Sequence, residues 1–190
     1  AEAGCRYVQL DETSLAKLGD PKIQRGLAER GDDWRQLLEI YTTVINQVVR
    51  AAPASMRLGI HLCRGNNQGH WQAEAGYDAI AESLFRKLDI GIFFLEYDSP
   101  RAGSFEPLAE VPDGKVVVLG LVSTKVPELE SAESLKARIA EASRFVPLDR
   151  LCLSPQCGFA SSFQGNPITP AVQSAKIRRV VEVAREVWGG

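Results

Sequence analysis

Short, nearly continuous apolar runs alternate with amphipathic stretches along the whole chain, and this rhythm limits the fold more than any other feature. Such runs read as strands at residues 5–10, 57–63, 90–97, 115–122 and 150–153. Apolar residues at helical spacing predict helices over 34–49, 77–88, 134–145 and 169–188. In the second of these the buried stripe is Ile80, Leu84 and Leu88; in the third it is Leu135, Ile139 and Ala142. Strands that are apolar throughout, rather than alternating, belong to a parallel sheet covered on its faces, with helices as crossovers. The fold class is therefore α/β. No low-complexity tract or linker interrupts the rhythm, so residues 1–190 are expected to belong to one domain.

A doubly wound sheet and a TIM barrel both satisfy that pattern, and the reactive residues separate them. Asp11 and Glu12, His61 and Cys63, Glu96 and Asp98, and Cys157 stand at the C-terminal ends of different strands. That rim is where TIM barrels gather their chemistry. No G-x-G-x-x-G turn follows any strand to suggest a dinucleotide fold. A TIM (β/α)8-type barrel takes eight strands and typically ~250 residues. Five strands in 190 residues correspond to about five C-terminal βα units of such a barrel. The remainder is expected from a further segment or from another chain.

Charge and composition exclude several classes. A net charge of -2 gives no electrostatic footprint for nucleic acid or an anionic membrane. No apolar run approaches the roughly 20 residues that span a bilayer, and the first residues lack the pattern of a signal peptide. A cytoplasmic location is expected. In a reducing compartment, cysteines among polar ligand types read as metal-binding, and those among apolar neighbours as buried thiols. Cys63 and Cys157 fall in the first class, Cys5 and Cys152 in the second.

His61 and Cys63 lie two apart on a strand, so their side chains share a face. Alone, such a pair is more often a core cysteine beside a satisfied histidine. Glu96 changes the balance. It ends the most hydrophobic run, Ile92-Phe93-Phe94-Leu95, where an unpaired carboxylate is costly to bury. Cys157 sits in a Pro155-x-Cys157-Gly158 turn that can fix a thiolate. One imidazole, two thiolates and one carboxylate suit tetrahedral zinc. Arg64 and Arg101, just beyond these ligand candidates, are candidate contacts for an anionic substrate group, or else ordinary solvated rim arginines.

Taken in order, His61-Leu62-Cys63, the strand-end Glu96 and Ser154-Pro155-Gln156-Cys157-Gly158 resemble the zinc-site pattern of cobalamin-independent methionine synthases. Tyr7-Val8-Gln9-Leu10-Asp11-Glu12 resembles that family's I-Q-I-D-E-P strand, so the resemblance runs from Tyr7 to the C-terminus. It implies a zinc barrel in which His61, Cys63, Glu96 and Cys157 hold the metal. It also implies that a methyl group passes to the thiol of homocysteine, giving methionine, and that catalytic Asp11, beside Glu12, holds the substrate's amino group.

The pattern departs from the family at one telling place. Folate-dependent members carry a His-Ser-Pro segment whose histidine assists protonation of the departing pterin nitrogen; here Val122 stands at that position. An amine is a poor leaving group unless protonated, which argues against methyltetrahydrofolate as donor. His70, in a loop, is the only nearby histidine left to substitute for it. Cys63-Arg64-Gly65-Asn66 is closer to a single-barrel branch similar to epoxyalkane:coenzyme M transferases. Coenzyme M is therefore an alternative acceptor thiol, and a non-catalytic fragment or subunit of the barrel is a third reading.

Overall fold

In a computed structural model that describes residues 1–160 and 162–189, five strands pair in sequence order to form one parallel sheet. They are β1 (Tyr7–Glu12), β2 (Arg57–Leu62), β3 (Ile92–Glu96), β4 (Val116–Val122) and β5 (Leu151–Pro155). The helices are α1 (Pro21–Glu29), α2 (Trp34–Ala51), α3 (Ala132–Ala142) and α4 (Pro170–Trp188). No helix among the described residues is long and apolar enough to cross a membrane.

The register explains how one sheet builds both core and site. Leu10, Ile60, Phe93, Val117 and Leu151 align across the strands, and so do Leu62, Leu95, Leu119 and Leu153. These rows face the helices and supply most of the buried apolar strand residues. The intervening positions point to the other face: Asp11, His61, Phe94, Val118 and Cys152 align there. That inner face is open where a closed barrel would cover it. Tyr7 is 43% exposed, and Asp11 and Cys152 are exposed too.

Helix α3 buries Leu135, Ile139 and Ala142, the predicted stripe. The helix expected over 77–88 is instead a single π turn at Glu82–Lys87, although Ile80, Leu84 and Leu88 are buried as expected. Tertiary bonds override the periodicity at both ends. Tyr77 is pinned through its hydroxyl to Glu96 N–H, and the Asn46 side chain binds Lys87 C=O and Asp89 N–H. Cys5 and Cys152 are exposed, not buried. Cys5 precedes the sheet, and Cys152 lies on edge strand β5 with its side chain on the open inner face.

Candidate metal centre

The C-terminal ends of β2 and β3 and the turn after β5 bring four ligand-bearing side chains together. One ligand atom each from His61, Cys63, Glu96 and Cys157 lies within 4.8 Å of all the others. His61 faces inward near the end of β2, and Cys63 follows two residues later on the same side. Glu96 is the last residue of β3. Gly120, opposite Glu96, lets the backbones of β3 and of the turn after β5 approach closely, because a Cβ there would come within 2.7 Å of Leu95 O and 2.9 Å of the Gln156 Cα.

The carboxylate of Glu96 is fully buried yet doubly held. Its Oε1 accepts from Gln156 Nε2 at 2.7 Å and its Oε2 from Arg101 Nη1 at 3.4 Å. Gln156 is fixed in turn, its Oε1 accepting from Thr124 Oγ1 at 2.9 Å. Cys63 Sγ accepts from Gly65 N–H at 3.3 Å. Gly65 adopts φ 97°, and a side chain there would collide with the Gln72 backbone.

The donor set fits a thiophilic divalent ion. The two sulfurs are 4.0 Å apart, close to the ~3.8 Å expected for two thiolates on one tetrahedral zinc with Zn–S of ~2.3 Å. His61 Nε2 is buried and has no hydrogen-bond partner among the described residues, the condition of a nitrogen that lacks its ligand. The protein's own groups already set the two thiols apart. The contact with the Cys63 thiol, reinforced by His61 and Asn66, holds the Cys157 thiol far below its usual range despite burial. The same contact, with burial, pushes Cys63 up. For His61, burial works against the charged form, but a hydrogen bond with Cys157 and attraction to Cys157, Glu96 and Asp11 outweigh it and raise its pKa.

Three of these four side chains and Asp11 line one cavity of about 680 Å³. Another cavity, about 540 Å³, opens at the opposite, N-terminal end of the sheet beside Arg57, Leu58 and Val116. It lacks the cluster, and in parallel α/β sheets chemistry sits at the strands' C-terminal ends.

The remaining candidates divide. Asp11 is exposed on the cavity wall. Glu12 turns the other way and accepts from the N–H groups of Ser14 and Leu15, ending β1 with a cap. Arg64 is not on the rim. It is fully buried beneath the site, where Nη1 donates to Tyr77 Oη and Glu96 C=O, both at 3.1 Å. Arg101 gives its guanidinium to Glu96 and Asp98. His70 is exposed, and Val122 is fully buried at the end of β4. Gln156, Asn66 and Lys125 join the surroundings of the cluster unforeseen. Gln156 and Asn66 left a trace in the sequence, through their places in Pro155-Gln156-Cys157 and Cys63-Arg64-Gly65-Asn66.

Residues 1–186 match the family described as cobalamin-independent synthase, catalytic domain. Uncharacterized protein YxjG of Bacillus subtilis is 46% identical over 188 residues, which is 98% of this chain and 50% of that protein. The chain thus spans about half the length of this relative. A 5-methyltetrahydropteroyltriglutamate–homocysteine methyltransferase of Bacillus licheniformis is 23% identical over 99% of this chain and 21% of its own length. A solved structure from Listeria monocytogenes, a vitamin-B12 independent methionine synthase candidate, superposes with a TM-score of 0.73 at 38% identity, covering 100% of this chain and 50% of the other. A B12-independent methionine synthase from Shewanella sp. W3-18-1, at 20% identity and a TM-score of 0.70, shares the fold over 98% of this chain and 49% of its own.

Proposed function

The chain belongs to the cobalamin-independent synthase catalytic-domain family, and from that premise we propose that it is the zinc-binding C-terminal part of a single barrel domain that methylates the thiol of homocysteine. The observation that carries the reading is the meeting of His61, Cys63, Glu96 and Cys157 within 4.8 Å. These four residues would hold the metal. When bound, zinc would supply Lewis acidity that keeps a substrate sulfur ionised at neutral pH.

The chain's own residues would arrange the rest. Asp11, on the wall of the same cavity, offers a carboxylate to the ammonium group of an amino-acid thiol, a charge-assisted contact that selects homocysteine over a thiol without an amine. Gln156 and Arg101 keep the Glu96 carboxylate facing the cluster. In the transfer itself a sulfur lone pair forms the new S–C bond while the methyl–donor bond breaks, and that bond's electron pair leaves with the donor. Buried Val122 supplies no proton to a leaving amine, which favours a donor other than methyltetrahydrofolate. The exposed inner face and the unpaired edges of β1 and β5 support a barrel completed by further strands, since open apolar faces and free edges invite pairing.

A second reading is alkyl transfer to another thiol such as coenzyme M. The Val122 departure favours it, because it removes the link to the folate reaction. Two measurements test these readings. Metal analysis of the purified protein should find about one zinc per chain, lost in a Cys63→Ser/Cys157→Ser double variant that remains folded, as thiolate ligands require. Methylation of homocysteine and of coenzyme M, assayed in parallel, then assigns the acceptor. Zinc retained by the folded double variant would remove the metal reading.

A further inference from the structure

The cavity that Asp11 shares with His61, Cys63 and Cys157 carries a second fixed charge, that of Lys17. Among the described residues, Lys17 is the only lysine or arginine on its wall and Asp11 the only carboxylate. Local structure leaves this lysine little choice of direction. It lies in a 3-10 turn, Ala16–Gly19, just after β1. Leu15, Ala16 and Leu18 of that turn and its start are buried in the core. Glu12 ties the start of the turn to the strand end through the N–H groups of Ser14 and Leu15. With its neighbours turned inward, half-buried Lys17 is the side chain that the turn presents to the cavity.

A long-range contact then fixes the ammonium group. Lys17 Nζ donates to Gln72 Oε1 at 2.6 Å. Gln72 is itself anchored beside the metal ligands, because the N–H groups of Gln72 and Ala73 donate to Arg64 C=O at 2.9 and 3.2 Å, directly after Cys63. The ammonium is thus held on the cavity wall, yet its partner is a neutral amide and it makes no ion pair among the described residues. Glu12 does not supply one, since its carboxylate is spent on the turn. Asp11 likewise has neither a hydrogen bond nor an ion pair among the described residues. An ammonium and a carboxylate that share a cavity without pairing leave both charges for a ligand. Charge balance points the same way. The loaded cluster would carry one negative charge and Asp11 adds another, so an acid-bearing thiol needs a cation on this wall to offset the repulsion.

We propose that Lys17 is a specificity-determining residue: its ammonium, aimed by Gln72, binds the acid group of the acceptor thiol. The inference rests on the thiol reading above and deepens it. With homocysteine the α-carboxylate meets Lys17 while the ammonium meets Asp11, so the cavity reads a zwitterion. With coenzyme M the sulfonate takes the place of the carboxylate and Asp11 goes unused. A thiol with no acid group forgoes the contact in either case.

The test is calorimetric titration of the zinc-loaded protein with homocysteine, coenzyme M and aminopropanethiol, the last being homocysteine without its carboxylate. Saturable binding of at least one of the two acid thiols is expected. Lys17→Met should weaken that thiol at least about tenfold, the scale of a charge-assisted hydrogen bond. Aminopropanethiol should bind the variant no more weakly than it binds wild type. Lys17→Arg, which keeps the charge, should retain most of the affinity, and Gln72→Met, which frees the ammonium, should cost about two- to fivefold. Exposed Lys87, changed to Met, should have no effect. Acid thiols unaffected by Lys17→Met, or equal losses for homocysteine and aminopropanethiol, would overturn the proposal and leave the thiol reading in place. Coenzyme M binding alone, weakened by Lys17→Met, would overturn the homocysteine assignment and uphold the role of Lys17. No saturable binding of either acid thiol would overturn both.

Discussion

Replacing Gln156 with leucine isolates the support of the candidate metal ligand Glu96 from the ligand itself. Gln156 is 1% exposed, and its two short side-chain bonds, which leucine cannot make, are Nε2 to Glu96 Oε1 at 2.7 Å and Oε1 from Thr124 Oγ1 at 2.9 Å, beside a longer one from Thr124 N–H at 3.4 Å. Loss of a hydrogen bond to a buried charge costs about 1.5–3 kcal/mol, and loss of the neutral one about 0.5–1.5 kcal/mol. Leucine nearly conserves volume, so the cavity contribution is small. A destabilisation of about 2–4 kcal/mol is therefore expected in denaturant unfolding of the chelated protein. Arg101 remains as a longer contact at 3.4 Å, so Glu96 should keep a partner but lose its orientation. Residues that orient metal ligands are typically worth about 10–100-fold in metal affinity. Chelator competition for zinc measures that loss directly, without reference to turnover. A folded Gln156→Leu protein with unchanged zinc affinity would refute the argument that this amide aims the carboxylate at a metal.

Three further outcomes follow from the same geometry. Glu12→Ala should lower stability by about 1–2 kcal/mol, the scale of a lost cap, while thiol affinity is unchanged, because Glu12 serves the backbone of Ser14 and Leu15; thermal unfolding beside thiol titration checks both halves. Asp11→Asn should weaken homocysteine saturation by about 1.5–3 kcal/mol and leave coenzyme M nearly untouched, and equal effects on both thiols would remove the amine contact. Lys125→Met should stabilise the protein at neutral pH. The sign follows from burial, which lowers the folded pKa below the unfolded value of 10.5. Wild type carries this penalty while the lysine is protonated in both states and sheds it as pH rises from the folded value toward 10.5. The variant's advantage, followed by thermal melts, should therefore shrink with rising pH.

Much of this fold is legible because its periods are simple. Helices α2, α3 and α4 show apolar stripes, and the strand rows that pack under them are continuous. Helix α1 escaped because its buried residue is Leu27, too little for a stripe, although Asp20 as cap and Pro21 at the first turn mark its start. The Glu82–Lys87 turn escaped for another reason: its boundaries are set by Tyr77 and Asn46, which bond to groups far away in sequence. The cluster was legible because strand ends and residue type coincide. The alternation that unites His61 with Cys63 also places Arg64 with Leu62, and Glu12 with Leu10, on the helix-covered face. Applied one residue further, it points to an interior Arg64 and an inward-capping Glu12. Lys125 and Gln156 follow strand ends in loops, where no period operates, so their burial emerges only from the packing.

Arg64 poses the sharpest electrostatic question in the molecule. It is 0% exposed, and no carboxylate among the described residues pairs with it. Its polar contacts are a phenol and a carbonyl, with the Tyr77 ring 4.1 Å beneath the guanidinium. Cation–π attraction of about 2 kcal/mol when desolvated falls short of the several kcal/mol that such burial costs. The zinc reading supplies what is missing. Two thiolates and a carboxylate outweigh a divalent ion by one negative charge, and Arg64 sits between two of those ligands, directly after Cys63 and bonded to the Glu96 carbonyl. A cation there balances the loaded cluster through the interior, where attraction is weakly screened. Buried arginine and anionic cluster are thus each costly alone and mutually compensating together, which accounts for their adjacency on consecutive residues of one strand end.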